Sequence, residues 1–122
     1  MSDDTCLYFN PACSNCRGAR ELLDERGVPV RIVEYLDERP GREELERLMG
    51  MLGIQDPREM MRSKEPQYAE LGLATAGRDA LLDAIVAHPI LLQRPILVRG
   101  GRAIIARPPE RLVELLSEDP AG

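Results

Sequence analysis

Thr5-Cys6-Leu7-Tyr8-Phe9-Asn10-Pro11-Ala12-Cys13-Ser14-Asn15-Cys16-Arg17 is the stretch on which the reading of the whole chain turns. Its first five residues form a short apolar run, which predicts a buried strand. Asn10-Pro11 then forces a turn. From Ser14 to about Arg26 no proline intervenes, Ala19, Leu22 and Leu23 share one helical face, and Gly27 supplies a C′ stop. Val30 to Tyr35 alternates valine and isoleucine with charged residues and predicts a second strand. Strand, helix and strand over roughly thirty residues make a βαβ unit, so the two strands should be parallel.

Periodicity and chain breakers place the remaining elements. Leu45, Leu48, Met49 and Leu52 recur at helical spacing opposite Glu and Arg, and Gly53 ends that helix. Asp56-Pro57-Arg58-Glu59 has the form of a capping box with proline at the first helical position. A short helix is predicted over 65–71, stopped by Gly72. Another over 78–88 carries Leu81, Leu82, Ile85 and Val86 and is stopped by Pro89. Ile96 to Arg99 reads as a strand, Gly100-Gly101 as a two-residue hairpin turn, and Arg102 to Ala106 as the returning strand. Pro108-Pro109 opens a last helix with Leu112, Val113, Leu115 and Leu116 inward, and the residues from Ser117 onward are expected to fray. The order predicts one α/β domain over residues 1–122 with a thioredoxin-like fold. It comprises a four-stranded mixed sheet with flanking helices and an inserted helical subdomain at about 41–75.

A chain of 122 residues suits a single core, and 30% charged with 43% hydrophobic residues is the balance of a soluble globule. No apolar run approaches the ~18 residues that span a bilayer. The acidic start, Met1-Ser2-Asp3-Asp4, lacks the features of a signal peptide. A cytoplasmic location away from membranes is expected, and with it reduced thiols. A net charge of −5 and only four aromatic residues argue against binding nucleic acid. Of sixteen basic residues only Lys64 is lysine, so a single arginine says little by itself.

The three cysteines, Cys6, Cys13 and Cys16, are no disulfide framework in a reducing compartment. Cys6 falls mid-strand and reads as core. Cys13 stands where the first strand meets the first helix, beside unsatisfied N–H groups and the positive end of the helix dipole. Both favour thiolate, so its pKa should fall below the free value of about 8.5, with Arg17 able to add to the effect. The same N–H groups make an anion site. Cys16, one turn on, has the spacing of a resolving thiol. The plain alternative, two small apolar helix residues, fits Cys-x-x-Cys at a strand-to-helix junction poorly. With one histidine and no second cysteine pair, no metal site is expected.

Asn10-Pro11-Ala12-Cys13-Ser14 with Arg17 resembles the glutaredoxin-linked arsenate reductase (ArsC) family. The resemblance extends to about Leu116, through Glu34-Tyr35-Leu36, Arg62-Ser63-Lys64-Glu65, Tyr68-Ala69-Glu70-Leu71-Gly72-Leu73, His88-Pro89-Ile90-Leu91, Arg94-Pro95-Ile96 and Arg107-Pro108. It implies that Cys13 attacks arsenate while Arg62, Arg94 and Arg107 hold the oxyanion, with Ser14 and Arg17 in the binding loop. Guanidinium suits that task because it meets oxyanions bidentately and stays charged. It implies, too, that Asn10, Pro11 and Pro95 shape the site, that Arg94-Pro95 is cis, and that no cofactor is bound. Glutathione would be the co-substrate, with glutaredoxin or thioredoxin as protein partner. Two positions depart from the pattern: Phe9 stands where many members carry histidine, and Cys16 where reductases usually carry serine. His88 matches a different position and reads as a cap or packing residue. Cys13-Ser14-Asn15-Cys16-Arg17 also resembles the Spx-like redox-switch regulators, which contact RNA polymerase. Their pattern lacks the arginine and prolines found at Arg107-Pro108-Pro109. A regulator and a general thiol–disulfide oxidoreductase using Cys13 and Cys16 are therefore the alternatives to a reductase.

Overall fold

The structure, a computed structural model, describes residues 5–117. The expected fraying beyond Ser117 lies outside the described residues. The chain divides into two compact units, one of Met1–Tyr35 with Arg94–Gly122, the other of Leu36–Gln93.

In the first unit β1 (Thr5–Tyr8) is followed by α1 (Ser14–Glu25) and β2 (Arg31–Val33). Gly27, at φ 68°, lets the chain leave α1, and Val28 N–H reaches back to the Leu23 carbonyl at 3.0 Å. β2 is shorter than the alternation suggested. Tyr35 is not a strand residue: it opens a single-turn helix, α2 (Tyr35–Glu38). After the second unit come β3 (Ile96–Arg99) and β4 (Arg102–Ile105), whose turn places Gly100 and Gly101 at φ 58° and 83°, as a tight hairpin requires. The sheet order is β2-β1-β3-β4, with β1 parallel to β2 and antiparallel to β3. Leu7 and Leu97 from the sheet, Cys16, Ala19 and Leu23 from α1, and Leu112 and Leu115 near the C-terminus close one core. Cys6, expected in the core, is only half-buried.

The second unit contributes α3 (Arg42–Leu52), a 3₁₀ turn (Pro57–Met60), α4 (Pro66–Glu70) and α5 (Arg78–Ala87). It reaches from 36 to 93, wider than residues 41–75, because α5 packs with α3; Leu45 and Leu48 of α3 and Leu81, Leu82 and Ile85 of α5 are all buried. Asp56 caps the 3₁₀ turn by accepting the Arg58 N–H at 3.0 Å. The Arg58 guanidinium then ties the unit together, donating to the Leu73 carbonyl at 3.0 and 3.2 Å and to the Ala76 carbonyl. His88 is the C-cap residue of α5, the first of its two expected roles, cap or packing residue. The last described element, α6 (Leu112–Ser117), returns to the first unit. No helix among the described residues is long and apolar enough to cross a membrane.

Candidate active site

Asn10-Pro11 shapes the loop that presents Cys13. Asn10 is buried, and its Oδ1 accepts the Ala12 N–H at 3.0 Å, the side-chain version of a turn. Its carbonyl accepts the Cys13 N–H at 2.9 Å, and its own N–H donates to Cys16 Sγ at 3.4 Å. Cys13 takes the extended backbone of an N-cap, and its carbonyl accepts the Arg17 N–H at 3.1 Å to begin α1. Arg17 Nη1 donates to the Pro11 carbonyl at 2.8 Å, clasping the loop from the helix side. Ser14, the first residue of α1, is exposed.

The two thiols are driven in opposite directions. Partial burial pushes Cys13 up, but the facing N–H of Cys16, the Cys16 thiol, the Arg94 guanidinium and the Asn15 N–H outweigh it, and its pKa lies below the ordinary thiol value. Cys16 has no exposed surface. Burial pushes it up to about 12 against the Asn10 N–H, with the hydrogen bond to Cys13 and the Cys13 charge acting in the same sense. The Cys13 sulfur is thus shifted toward thiolate, while its neighbour is held protonated and covered.

Arg94 stands opposite Cys13, held above its ordinary pKa because Tyr35 and Cys13 outweigh its burial. Two of its donors, Nε and Nη1, are buried without a protein acceptor. The Arg94-Pro95 bond is cis and Pro95 is buried; Arg107-Pro108 is cis as well, which the sequence did not suggest. Arg107 is exposed, with Nη1 on the Arg94 carbonyl at 3.1 Å. Arg62 belongs to the other unit. There its N–H meets the Leu91 carbonyl at 2.7 Å and its Nε the Glu65 carboxylate at 3.0 Å. The first unit thus brings together Cys13, Cys16, Ser14, Arg17, Asn10, Pro11, Arg94, Pro95 and Arg107 from the sequence reading.

Phe9, the departure from the family pattern, is buried in the core, and the Arg20 guanidinium sits over its ring at 5.7 Å. It gives Cys13 no polar partner, so ionisation of the thiol rests on the helix N–H groups, Cys16 and Arg94. Among the described residues no cluster of His, Cys, Asp and Glu is suited to a metal ion. The sequence reading gave Tyr35 no role, although it is fully buried and its phenol lies against Arg94. A signal existed: it is one of four aromatic residues and stands at a strand end beside the site.

Known proteins frame this geometry. Residues 8–120 match the family described as ArsC family. An arsenate reductase of Neisseria meningitidis serogroup A is 44% identical over 112 residues, covering 90% of this chain and 96% of that protein. The Escherichia coli protein named uncharacterized protein YfgD is 41% identical over 118 residues, with 95% and 99% covered. The solved structure of an arsenate reductase from Vibrio cholerae superposes with a TM-score of 0.89 at 40% identity, covering 93% of this chain and 98% of that one. With the family matched over residues 8–120 and relatives above 40% identity covered almost end to end, this chain belongs to the ArsC family.

Proposed function

We propose that this protein is an arsenate reductase with Cys13 as nucleophile. One observation carries the reading: a thiol lowered in pKa faces an arginine whose Nε and Nη1 are buried without a protein acceptor. Buried donors left unmatched are costly, and they persist where a ligand completes them. An oxyanion is the ligand that suits both the arginine and the helix N-terminus. Arg107 and Ser14 are further donors from the same unit, and the family resemblance assigns Arg62 the same task.

The chemistry has three steps. The Cys13 thiolate attacks arsenic(V), forming an S–As bond as an arsenate oxygen departs as water; no electrons change hands. A second thiolate then attacks the Cys13 sulfur. The S–As bond breaks, its electron pair stays on arsenic, and arsenite leaves as arsenic(III). The product is a disulfide, either with glutathione or between Cys13 and Cys16, which glutaredoxin or thioredoxin returns to thiols. Cys16 lies beside the Cys13 sulfur, but burial and a pKa pushed up to about 12 keep it protonated, which favours glutathione as the attacking thiolate and leaves the internal disulfide as the second route.

Arsenite formation is to be measured with arsenate, NADPH and either glutathione, glutaredoxin and glutathione reductase or thioredoxin and its reductase. Arsenate-dependent turnover in one arm, lost in Cys13→Ser, is expected. A Cys13–Cys16 disulfide that forms without arsenate turnover in either arm would replace the reductase with the switch. In Cys16→Ser, unchanged glutathione-driven turnover would make Cys16 a bystander.

A further inference from the structure

Glycine is the poorest helix former after proline, yet Gly18 stands inside α1, five residues after Cys13. A side chain there would crowd its neighbour. A Cβ on Gly18 would lie 3.2 Å from Pro109 Cγ and 3.6 Å from Pro109 Cβ, the first closer than carbon atoms rest in good contact. The ring of Pro109 therefore sits on the bare backbone of the helix. Gly50, inside α3, is the contrast: among the described residues a Cβ there would meet nothing beyond its own helix within 4 Å. The segment that Pro109 ends is pinned at its other end as well. Ala106 N–H donates to the Pro95 carbonyl at 2.9 Å, and Arg107 Nη1 to the Arg94 carbonyl at 3.1 Å. Residues 106–109 thus run from the backbone just before β3 to the flank of α1, all within the first unit. Those two anchors frame the cysteine loop. Tyr8, the last residue of β1, pairs with Ile96, the first of β3, and the chain leaving Tyr8 leads through Asn10-Pro11 to Cys13.

We propose that Gly18 is a positioning residue: by admitting Pro109 against α1, it lets residues 106–109 act as a strap that fixes the Cys13 helix relative to Arg94 and Arg107. The strap is short and held at both ends, so it has little slack to absorb an added methyl group. Ala106 is buried with its N–H committed to Pro95, and the Pro108 carbonyl accepts the Arg111 N–H at 3.0 Å. Displacing Pro109 therefore moves Arg107, two residues away, or the helix that carries Cys13. Either shift changes the spacing between the thiol and the two arginines, and such constellations work only when held to within about 0.5 Å. The helix itself gains from the same substitution, since alanine suits its interior better than glycine. Function and fold are thus pulled in opposite directions at this one position.

The turnover arm of the test rests on the reductase reading; the thiol arm, which decides, does not. In Gly18→Ala the midpoint of Cys13 alkylation by iodoacetamide against pH, with the site identified by mass spectrometry, is expected to rise by about 0.3 unit as Arg94 draws away. Arsenate kcat/KM should fall about threefold. Gly18→Leu, with a longer side chain at the same place, should enlarge these effects to about 0.5–1 unit and about tenfold. Pro109→Ala removes Cγ and leaves the nearest contact at 3.6 Å, an ordinary distance, so in that background Gly18→Ala should change neither readout. Gly50→Ala should raise the melting temperature and leave both readouts alone. An unmoved midpoint in Gly18→Ala and Gly18→Leu, or a shift that persists beside Pro109→Ala, would reduce Gly18 to packing and overturn the proposal. Where the Leu variant does not fold, Gly18→Ala with and without Pro109→Ala decides alone. A midpoint that moves and recovers in this way, in a protein that does not turn over arsenate, keeps the strap and removes only the substrate.

Discussion

Arginine does two different jobs in the two units, and its hydrogen-bond partners separate them. In the helical unit Arg58 meets two backbone carbonyls and Asp56, and Arg42 meets Glu46, Asp79 and Asp83. Their donors are matched, and they hold a domain whose segments are short. In the sheet unit Arg94 faces a sulfur and a phenol while Nε and Nη1 go unmatched. A group that stabilised the fold would not be left so. On the proposed reading, the contrast teaches that what fits Arg94 for an anion is the donor it keeps in reserve.

Breaking the functional side of the contrast should have the largest effect. Arg94→Ala is expected to lower arsenate kcat/KM by about 10²-fold or more, the usual range for loss of an oxyanion donor in an enclosed site. The Cys13 alkylation midpoint should rise in the same variant, since one of the groups favouring the thiolate is gone. The melting temperature should hold or increase, because two unmatched buried donors disappear with the side chain. A marked loss of stability would place Arg94 with the structural arginines.

The opposite result is expected for Arg58→Ala. Three carbonyl contacts vanish and leave the Leu73 and Ala76 oxygens without this donor, so urea unfolding should report a loss of about 2–3 kcal/mol. Cys13 alkylation should keep its midpoint, since Arg58 is not among the groups that act on the thiol. A shift would mean that the carbonyl clamp reaches the sulfur.

These roles were unequally legible in the sequence. The hairpin at Gly100-Gly101 and the stop at Gly27 were readable because a positive φ is a local demand that glycine meets. The strands and α1 were readable from apolar spacing, and the cysteine loop from Cys-x-x-Cys after Asn-Pro. Tyr35 was not. Its alternation with Val33 continued the strand pattern, while the chain in fact turns into α2, and nothing local reveals that a phenol meets an arginine 59 positions away. The same holds for Arg58 against Arg94: with fifteen arginines of one type, only tertiary partners distinguish a clamp from an anion site. The edge of the helical unit was misjudged for that reason too, since α5 is assigned by what it packs on.

A smaller effect separates the two thiols. Cys13 should be alkylated at neutral pH, while Cys16, pushed up to about 12 and fully covered, should be inert until the protein unfolds. The sign for stability follows. The folded pKa of Cys16 lies above its unfolded value of 9.0, so its contribution is complete below pH 9.0 and is lost as pH rises toward about 12. For Cys13 the folded pKa is lowered, so its contribution is present above the unfolded value and is lost as pH falls through the folded one. Urea denaturation of Cys16→Ala should therefore lack the alkaline decline of the parent protein. An identical decline in both would trace it to other groups.

The smallest effect tests Arg62, whose Nε is paired with a carboxylate where Nε and Nη1 of Arg94 are unmatched. Glu65 and Arg62 are both about one-fifth exposed, with side-chain exposures of 20% and 21%, and pair at 3.0 Å. Glu65→Gln keeps an oxygen that can accept from Nε, so the guanidinium stays aimed, but it releases the positive charge that Glu65 cancels. Where Arg62 assists the oxyanion as its motif implies, the arsenate KM should drop about two- to threefold, a fraction of a kcal/mol being all that a half-screened pair carries. kcat should stay level, because the charge acts on bound and reacting anion alike. An unchanged KM would leave Arg62 with the structural arginines, held by Glu65 and by the Leu91 carbonyl, and would place the anion with Arg94 and the α1 terminus.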